Sequence, residues 1–321
     1  MIKIIRQILA FCGVLLAPVL YAQQAPQYTQ YIFNEMVINP AYTGSKELLN
    51  INATHRSQWS GLEGSPTSQV LSVDGLTRNG RLGLGFSALN DEIGVQTQLN
   101  AYGNASVRLN LSETSRIAVG FAGGFAQYTL DGTKLRPGST IIPDVAVPTG
   151  RESEILPDIR GGVFFNTERF YAGFSAANLV PFKGSNPLIG TPVRQYFLSS
   201  GYVFDLSSAL RFKPSFLLQD DFKGPSKMDL NAFLMVYDRF WFGGSYRTAV
   251  PLFSKLPSDY NLQKRNAFAV IAQLFLTPSL RLGYSYDITL NDLREYPSHE
   301  VSVGYTFFKK QDTRTLSPRF F

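Results

Sequence analysis

Side chains able to do chemistry are scarce in this chain. Its 321 residues hold two histidines, His55 and His299, and one cysteine, Cys12. Ser298, Glu300 and Ser302 flank His299. A hydrolase needs a serine held beside a base, and neither serine stands in a motif that supplies one. A zinc site takes three or four protein ligands, and in an extended segment Glu300 points away from His299. Ordinary histidines at the rim of a fold are the simpler reading. Asn90-Asp91-Glu92 and Asp220-Asp221 are short acidic runs. Calcium wants about six to eight oxygens, and no fuller ligand series follows them, so they read as solvated loop acids. Gly161-Gly162 and Gly243-Gly244 match no phosphate or dinucleotide loop. Glycines of this kind serve packing and close backbone approach in strands. The sequence therefore implies no catalytic residue, no metal and no cofactor.

The elements around these residues are extended. From Leu99 to Leu111 the odd positions are apolar or small, and the even ones are Asn100, Tyr102, Asn104, Ser106, Arg108 and Asn110. A polar turn over 112–115 follows. Then Ile117, Val119, Phe121 and Phe125 alternate with Ala118, Gly120, Ala122, Gly124 and Ala126. Successive side chains of a strand face opposite ways, so this is a hairpin with one greasy and one wet face. Each arm is long enough to cross a bilayer as a tilted strand, about 9–11 residues.

The whole chain follows this plan. About fourteen strand candidates can be drawn, an even number as bacterial single-chain barrels have. Short connectors alternate with longer ones, notably Asp91–Val95, Asp131–Asp158 and Leu179–Val193. Outer-membrane barrels put short turns in the periplasm and long loops outside. The expected fold is an all-β, closed antiparallel transmembrane barrel spanning 48–308, with both termini periplasmic. Parity assigns Leu82, Leu84, Phe86, the odd positions Leu99–Leu109, Ile117, Val119 and Phe121 to lipid. Phe268, Val270, Ala272, Leu274, Leu280, Leu282, Tyr284, Tyr286, Val301, Val303, Tyr305 and Phe307 join them. Arg81, Arg108, Arg116, Lys213, Arg281 and Glu300 fall on the inner face. These cations either line an anion path or pair with inner acids, and pairing is the simpler reading. Phe165, Phe170, Phe204, Tyr237, Phe240, Trp241, Phe307 and Phe308 bunch beside short turns as an aromatic girdle would. Pro214 sits in mid-strand, where it removes a ladder donor and predicts a bulge or local defect.

Composition agrees. With 44% hydrophobic residues the chain is no bundle of membrane helices, yet alternation hides barrel strands from such an average. Met1–Ala22 reads as a secretory signal, with Lys3 and Arg6 before the apolar run 8–20. Cys12 lies inside it after Phe11, so the mature chain has no thiol and no disulfide. The net charge of +6 comes without a basic run or helical basic face, which argues against nucleic acid. Segment 309–321 reads as a periplasmic tail. Residues 23–47 lack a period and read as a periplasmic arm or plug. Its aromatics Tyr28, Tyr31, Phe33 and Tyr42 are candidate partner-binding residues, either folded into the lumen or presented at the mouth.

Gln27–Ser45, with Tyr31-Ile32-Phe33-Asn34 and Ile38-Asn39-Pro40-Ala41-Tyr42, resembles the start of PorP/SprF proteins of the type IX secretion system. The likeness continues through His55-Arg56-Ser57-Gln58-Trp59, Asn90-Asp91-Glu92-Ile93-Gly94, Phe170-Tyr171-Ala172-Gly173, Ser245-Tyr246-Arg247, Ser298-His299-Glu300 and the final Ser317-Pro318-Arg319-Phe320-Phe321. The resemblance implies a non-enzymatic outer-membrane protein of Bacteroidota-type bacteria that supports secretion or surface attachment of adhesins, gliding adhesins among them. The partners it implies are outer-membrane lipid, the C-terminal domain of secreted cargo, and periplasmic secretion-system lipoproteins. It brings no catalytic residues. The competing class is a channel or porin for small solutes.

Overall fold

The hairpin that shows the alternation most clearly is also the tallest part of the wall. In the computed structural model, which describes residues 29–134, 150–186, 189, 192–253 and 266–308, β4 (Gln96–Asn110) and β5 (Arg116–Asp131) pair with Ala105 opposite Phe121. Val107, Leu109, Val119 and Phe121 are exposed on the outer face, while Asn104, Ser106, Arg108, Ala118 and Ala122 are buried on the inner one.

The remaining strands extend this pair into a ring. In chain order they are β1 (Leu49–Ser57), β2 (Thr67–Leu76), β3 (Leu82–Ile93), then β4 and β5, β6 (Arg151–Asn166), β7 (Phe170–Ala177), β8 (Gln195–Tyr202), β9 (Phe204–Asp205), β10 (Leu210–Asp220), β11 (Ser226–Val236), β12 (Phe240–Val250), β13 (Ala267–Phe275), β14 (Leu280–Thr289) and β15 (Ser298–Phe307). All pairings are antiparallel, and β1 pairs with β15 from Leu49↔Phe307 to Ser57↔His299, closing the sheet. β8 and β9 are one stave interrupted at Val203, so the barrel has 14 staves. Closure is what a bilayer demands, because an open edge would leave backbone groups unpaired in hydrocarbon at several kcal/mol each. Among the described residues no helix is long and apolar enough to cross a membrane.

The interruption at Val203 accounts for Pro214. Ser215 pairs with Gly201 and Phe212 with Phe204, so the register continues without an extra residue. On this side the pairs for Lys213 and Pro214 are missing, while on the other they pair with Phe233 and Ala232 of β11. The defect is a gap in the ladder, not a bulge, and the Val203 N–H donates to the Arg169 carbonyl at 2.8 Å.

Several expectations need correction. Asn90, Asp91 and Glu92 are in β3, not a loop, and β3 joins β4 through Gly94 and Val95 alone. The strict alternation of short and long connectors fails there. Likewise β6 begins at Arg151, well inside the stretch expected as loop. The physical reason is shared: above the bilayer the outward positions no longer need to be apolar, as Gln127 and Ser153 show, so the hydrophobic period vanishes while pairing continues. Arg81 does not reach the inner face; it is exposed in the turn before β3. Trp241 leaves the girdle, being only 3% exposed inside the barrel beside Phe233. The outer girdle keeps Phe170, Phe204, Tyr237, Phe240 and Phe307, all exposed.

The two faces predict unequal tolerance. Ala105→Arg, outward and near the middle of β4, should cost about 2–4 kcal/mol in membrane folding, whereas Ala105→Leu should be near neutral; unfolding by denaturant in lipid vesicles measures both. The inner Asn104, packed and buried, has no room for arginine either, contrary to the easy tolerance expected of a water-filled interior.

Candidate functional site: a filled lumen and an outer cavity

The lumen is occupied by the chain's own arm. Residues 29–46 fold inside the barrel as three 3-10 turns, Gln30–Phe33, Glu35–Val37 and Pro40–Tyr42. No period marks them because they lean on many staves in turn. Thr29 sits near the long-loop ends of β1, β14 and β15. There the Glu300 carboxylate accepts the backbone N–H groups of Thr29 and Gln30, each at 2.9 Å. Arg56 reaches Glu300 at 3.1 Å and Asp287 at 2.7 Å, and donates to Thr29 Oγ1 at 2.9 Å. The chain then descends. The Tyr31 hydroxyl accepts from Asn231 Nδ2 at 2.9 Å, and Phe33 meets Phe233 edge-on at 5.7 Å. Lys46 and Arg281 both donate to the Phe33 carbonyl.

The middle turns climb again and cross the lumen. Arg160 donates to the Val37 carbonyl, Ser175 to that of Ile38 at 2.9 Å, and Asn39 Nδ2 to that of Val163 at 3.0 Å. Tyr42 packs edge-on against Phe164 at 5.1 Å. At the short-turn end Ser106 donates to Thr43 O, Arg108 to Gly44 O, and Glu47 draws in Arg108 and Arg116. The inner cations are therefore anchors for irregular backbone, whose buried carbonyls must find donors. Wall glycines allow the approach: a Cβ on Gly120 would collide with the backbone of Ala41, and one on Gly83 with the Thr43 carbonyl.

Above the arm, toward the long loops, a cavity of about 140 Å³ remains. Tyr31, Val37 and Ile38 form its floor. On one side Arg160 lies over the Tyr102 ring at 3.8 Å and pairs with Asp158 at 2.9 Å, which also accepts from the Tyr102 hydroxyl at 2.8 Å. On another, Arg247 grips Asp229 through two bonds of 2.8 and 3.0 Å. Both guanidinium charges are answered by carboxylates; Lys227 and apolar side chains such as Leu89, Phe197 and Leu217 complete the lining.

Of the aromatics expected to meet partners, Tyr31, Phe33 and Tyr42 are 4%, 7% and 4% exposed. They face the lumen wall; Tyr28 lies outside the described residues, as do the expected signal segment 1–22 and tail 309–321. His55 and His299 are on neighbouring staves. His299 Nδ1 hydrogen-bonds the Tyr284 hydroxyl at 2.8 Å on the outer face, while Glu300 points inward. Among the described residues no three His, Cys, Asp or Glu side chains gather as metal ligands would. Asp220 and Asp221 accept local backbone N–H groups and cap their turn. Sequence reasoning missed Arg56, Asp287, Arg160, Asp229 and Arg247. Register carries the signal: Arg56 faces Glu300 across the closing pair, and Asp229 faces Arg247 on adjacent staves.

A family model described as "Type IX secretion system membrane protein PorP/SprF" matches residues 20–305. The chain belongs to the PorP/SprF family. This PorP/SprF chain is thus an outer-membrane β-barrel of a secretion family. Among solved structures it resembles the CymD monoaromatic hydrocarbon channel, at 12% identity and a TM-score of 0.50, over 85% of this chain and 92% of that one. Omp33 of Acinetobacter baumannii gives 8% identity and a TM-score of 0.48 over 81% and 98%. A FadL homologue of Pseudomonas aeruginosa gives 12% and 0.42 over 84% and 93%. The CymD likeness speaks for the barrel fold alone. A comparison with curated protein sequences gave no match.

Two measurements test how the arm is held. Removing Arg56 leaves Glu300 and Asp287 buried without their cation, a change that typically costs about 3–5 kcal/mol. Arg56→Ala should therefore make residues 29–46 susceptible to protease while the barrel keeps its heat-modifiable gel mobility. Within the arm, burial pushes the Glu35 carboxyl up to about 7, against the pull of Lys213, a hydrogen bond from Tyr171, and Lys46. A raised acid binds its proton more tightly when folded, so its contribution is full below the ordinary pKa and is lost as pH rises through about 7. The wild-type arm should loosen between about pH 5 and about pH 8 in hydrogen exchange corrected for intrinsic rates, and Glu35→Gln should flatten that dependence.

Proposed function

We propose that this PorP/SprF barrel is a plugged docking component of the type IX secretion system and conducts no solute. It supports secretion or surface attachment of adhesin-type cargo, binding the cargo's C-terminal domain and the periplasmic lipoproteins of the machinery. The observation that carries the non-conducting part is the arm 29–46, which fills the lumen from Thr29 beside Glu300 to Lys46 at the short-turn end. A solute path would need an open bore, and here the inner cations that could line one are spent on arm carbonyls and carboxylates. The family assignment supports the secretion role, and with it a non-enzymatic part.

If Tyr31, Phe33 and Tyr42 meet a partner, the arm must first leave the lumen, since their rings are sealed against Phe233, Trp241 and Phe164. The alternative, a channel for small solutes, predicts a different electrical behaviour. In planar bilayers the intact chain should be silent, and a chain lacking 29–46 should carry steady current. Steady current from the intact chain would sink the plugged reading. Deleting the arm should also spare barrel assembly and abolish co-purification of secretion partners from membranes.

A further inference from the structure

Among the described residues, the long-loop end of β6 is an unfinished edge of the barrel wall. β6 runs from Arg151 to Asn166, but β7 pairs with it only from Gly161 to Asn166. Arg151 to Arg160 continue toward the long-loop end, about 30 Å at about 3.3 Å per residue. On its other side this stretch stays paired with β5 up to Asp131↔Arg151. On the β7 side the backbone contact among the described residues is the Leu179 N–H donating to the Ile159 carbonyl at 3.0 Å.

Which groups face that edge follows from alternation. Ile159 turns its carbonyl to the β7 side, and Gly150 turns its carbonyl to β5, accepting from Gly132 at 2.9 Å. Backbone groups alternate sides along a strand, so Ser153 and Ile155 direct their N–H and C=O outward along the free edge. Pro157 stands on the same edge, where its missing N–H removes nothing from the β5 ladder. Loop residues 184–186 do not occupy these groups. Ser185 binds the Glu154 side chain through its N–H and hydroxyl, and Asn186 binds that of Glu152. Ile155 is 61% exposed.

The edge lies above the bilayer. Outward positions of β5 change from Phe121 and Phe125 to Gln127 and Thr129, and Gln127 is opposite Ile155. An unpaired edge is tolerable there, in water, and not below. Natural proteins usually blunt such edges; here Pro157 blunts it at one point and, among the described residues, Ser153 and Ile155 are left open. A row of alternating donors and acceptors at strand spacing is complementary to one chemistry, another extended backbone.

We infer that the free edge of β6 at Ser153–Ile155 is a docking strip for an extended strand of a separate polypeptide at the cell surface, bound by β-strand addition. The added strand lies antiparallel or parallel to β6 beside Glu152 and Glu154, so basic or hydroxyl side chains on its inward face complement the strip. This deepens the docking reading and rests on it for the source of the strand.

The test uses the full-length chain in its own bacterium. A photo-crosslinking amino acid replaces Ser153, and adducts are mapped by mass spectrometry; the second chain carries Ile155→Pro beside it. Proline at 155 removes an edge donor and spares the β5 ladder, so the heat-modifiable barrel should form normally. The expected result is an adduct to one continuous segment of another polypeptide, falling about tenfold or more with Ile155→Pro. Adducts to lipopolysaccharide alone, to this chain's own loop 179–193, to a second copy of this chain, or unchanged by Ile155→Pro would each overturn the strip. Secretion lost on deleting the chain but kept in the proline variant would reject the strip and leave the docking reading standing.

Discussion

Glu300 joins two problems of this fold in one carboxylate. It lies on the last stave, directly across the closing seam from Arg56 on the first. It also accepts the first backbone groups of the lumenal arm. A closed sheet brings residues 56 and 300 together; only then does the arm find its upper anchor. Conversely, a buried carboxylate and a buried guanidinium are tolerable in a lumen only when paired and hydrogen-bonded. The arm's N–H groups supply part of that satisfaction. Barrel closure and arm seating are therefore energetically coupled, although neither segment is near the other in sequence.

The same logic explains the polar interior. The short 3-10 turns satisfy some of their own carbonyls, such as those of Tyr31, Glu35 and Pro40, and side-chain donors meet those of Phe33, Val37, Ile38, Thr43 and Gly44. Arg160, Ser175, Ser106, Arg108 and Arg281 provide them from the wall, and Lys46 from the arm itself. What composition suggests as a cationic bore is a set of brackets. Aromatic packing of Phe33 on Phe233 and Tyr42 on Phe164 fills the space between the brackets, at right angles favoured by ring quadrupoles.

Parity made the barrel legible where one face meets lipid and the other does not. Leu99 to Leu109 and Val301 to Phe307 could be placed from the alternation alone. It failed where that asymmetry ends. In Asn90–Ile93 and Arg151–Asp158 polar residues fall on both faces, although Leu156 and Asp158 are buried on the inner one, and the residue types do not separate these strands from loop. Trp241 misled because a large aromatic beside a short turn suits an interface girdle and a packed lumen equally well. The arm was legible as a distinct segment, and its family motif marked it, yet its partners were not. Arg56, Asp229 and Arg247 acquire meaning only through register, and register across fourteen staves accumulates from every connector length.

The uneven height of the wall connects these observations. β3 to β6 stand tall, while β7 and β8 stop low, at Ala177 and Gln195. A barrel whose sole task was to hold a pore would gain nothing from staves that continue paired beyond the membrane on one side only. Such staves cost chain entropy to order, about 1–2 kcal/mol per residue of backbone, and return no lipid-facing burial. They do create a one-sided rampart beside the cavity over Tyr31, Val37 and Ile38, with a strand edge at its margin. With the bore below stopped by the arm, the docking role proposed above would use the outer half sideways and upward, toward chains arriving at the surface. That asymmetry is what a docking protein built on a pore-like scaffold would retain.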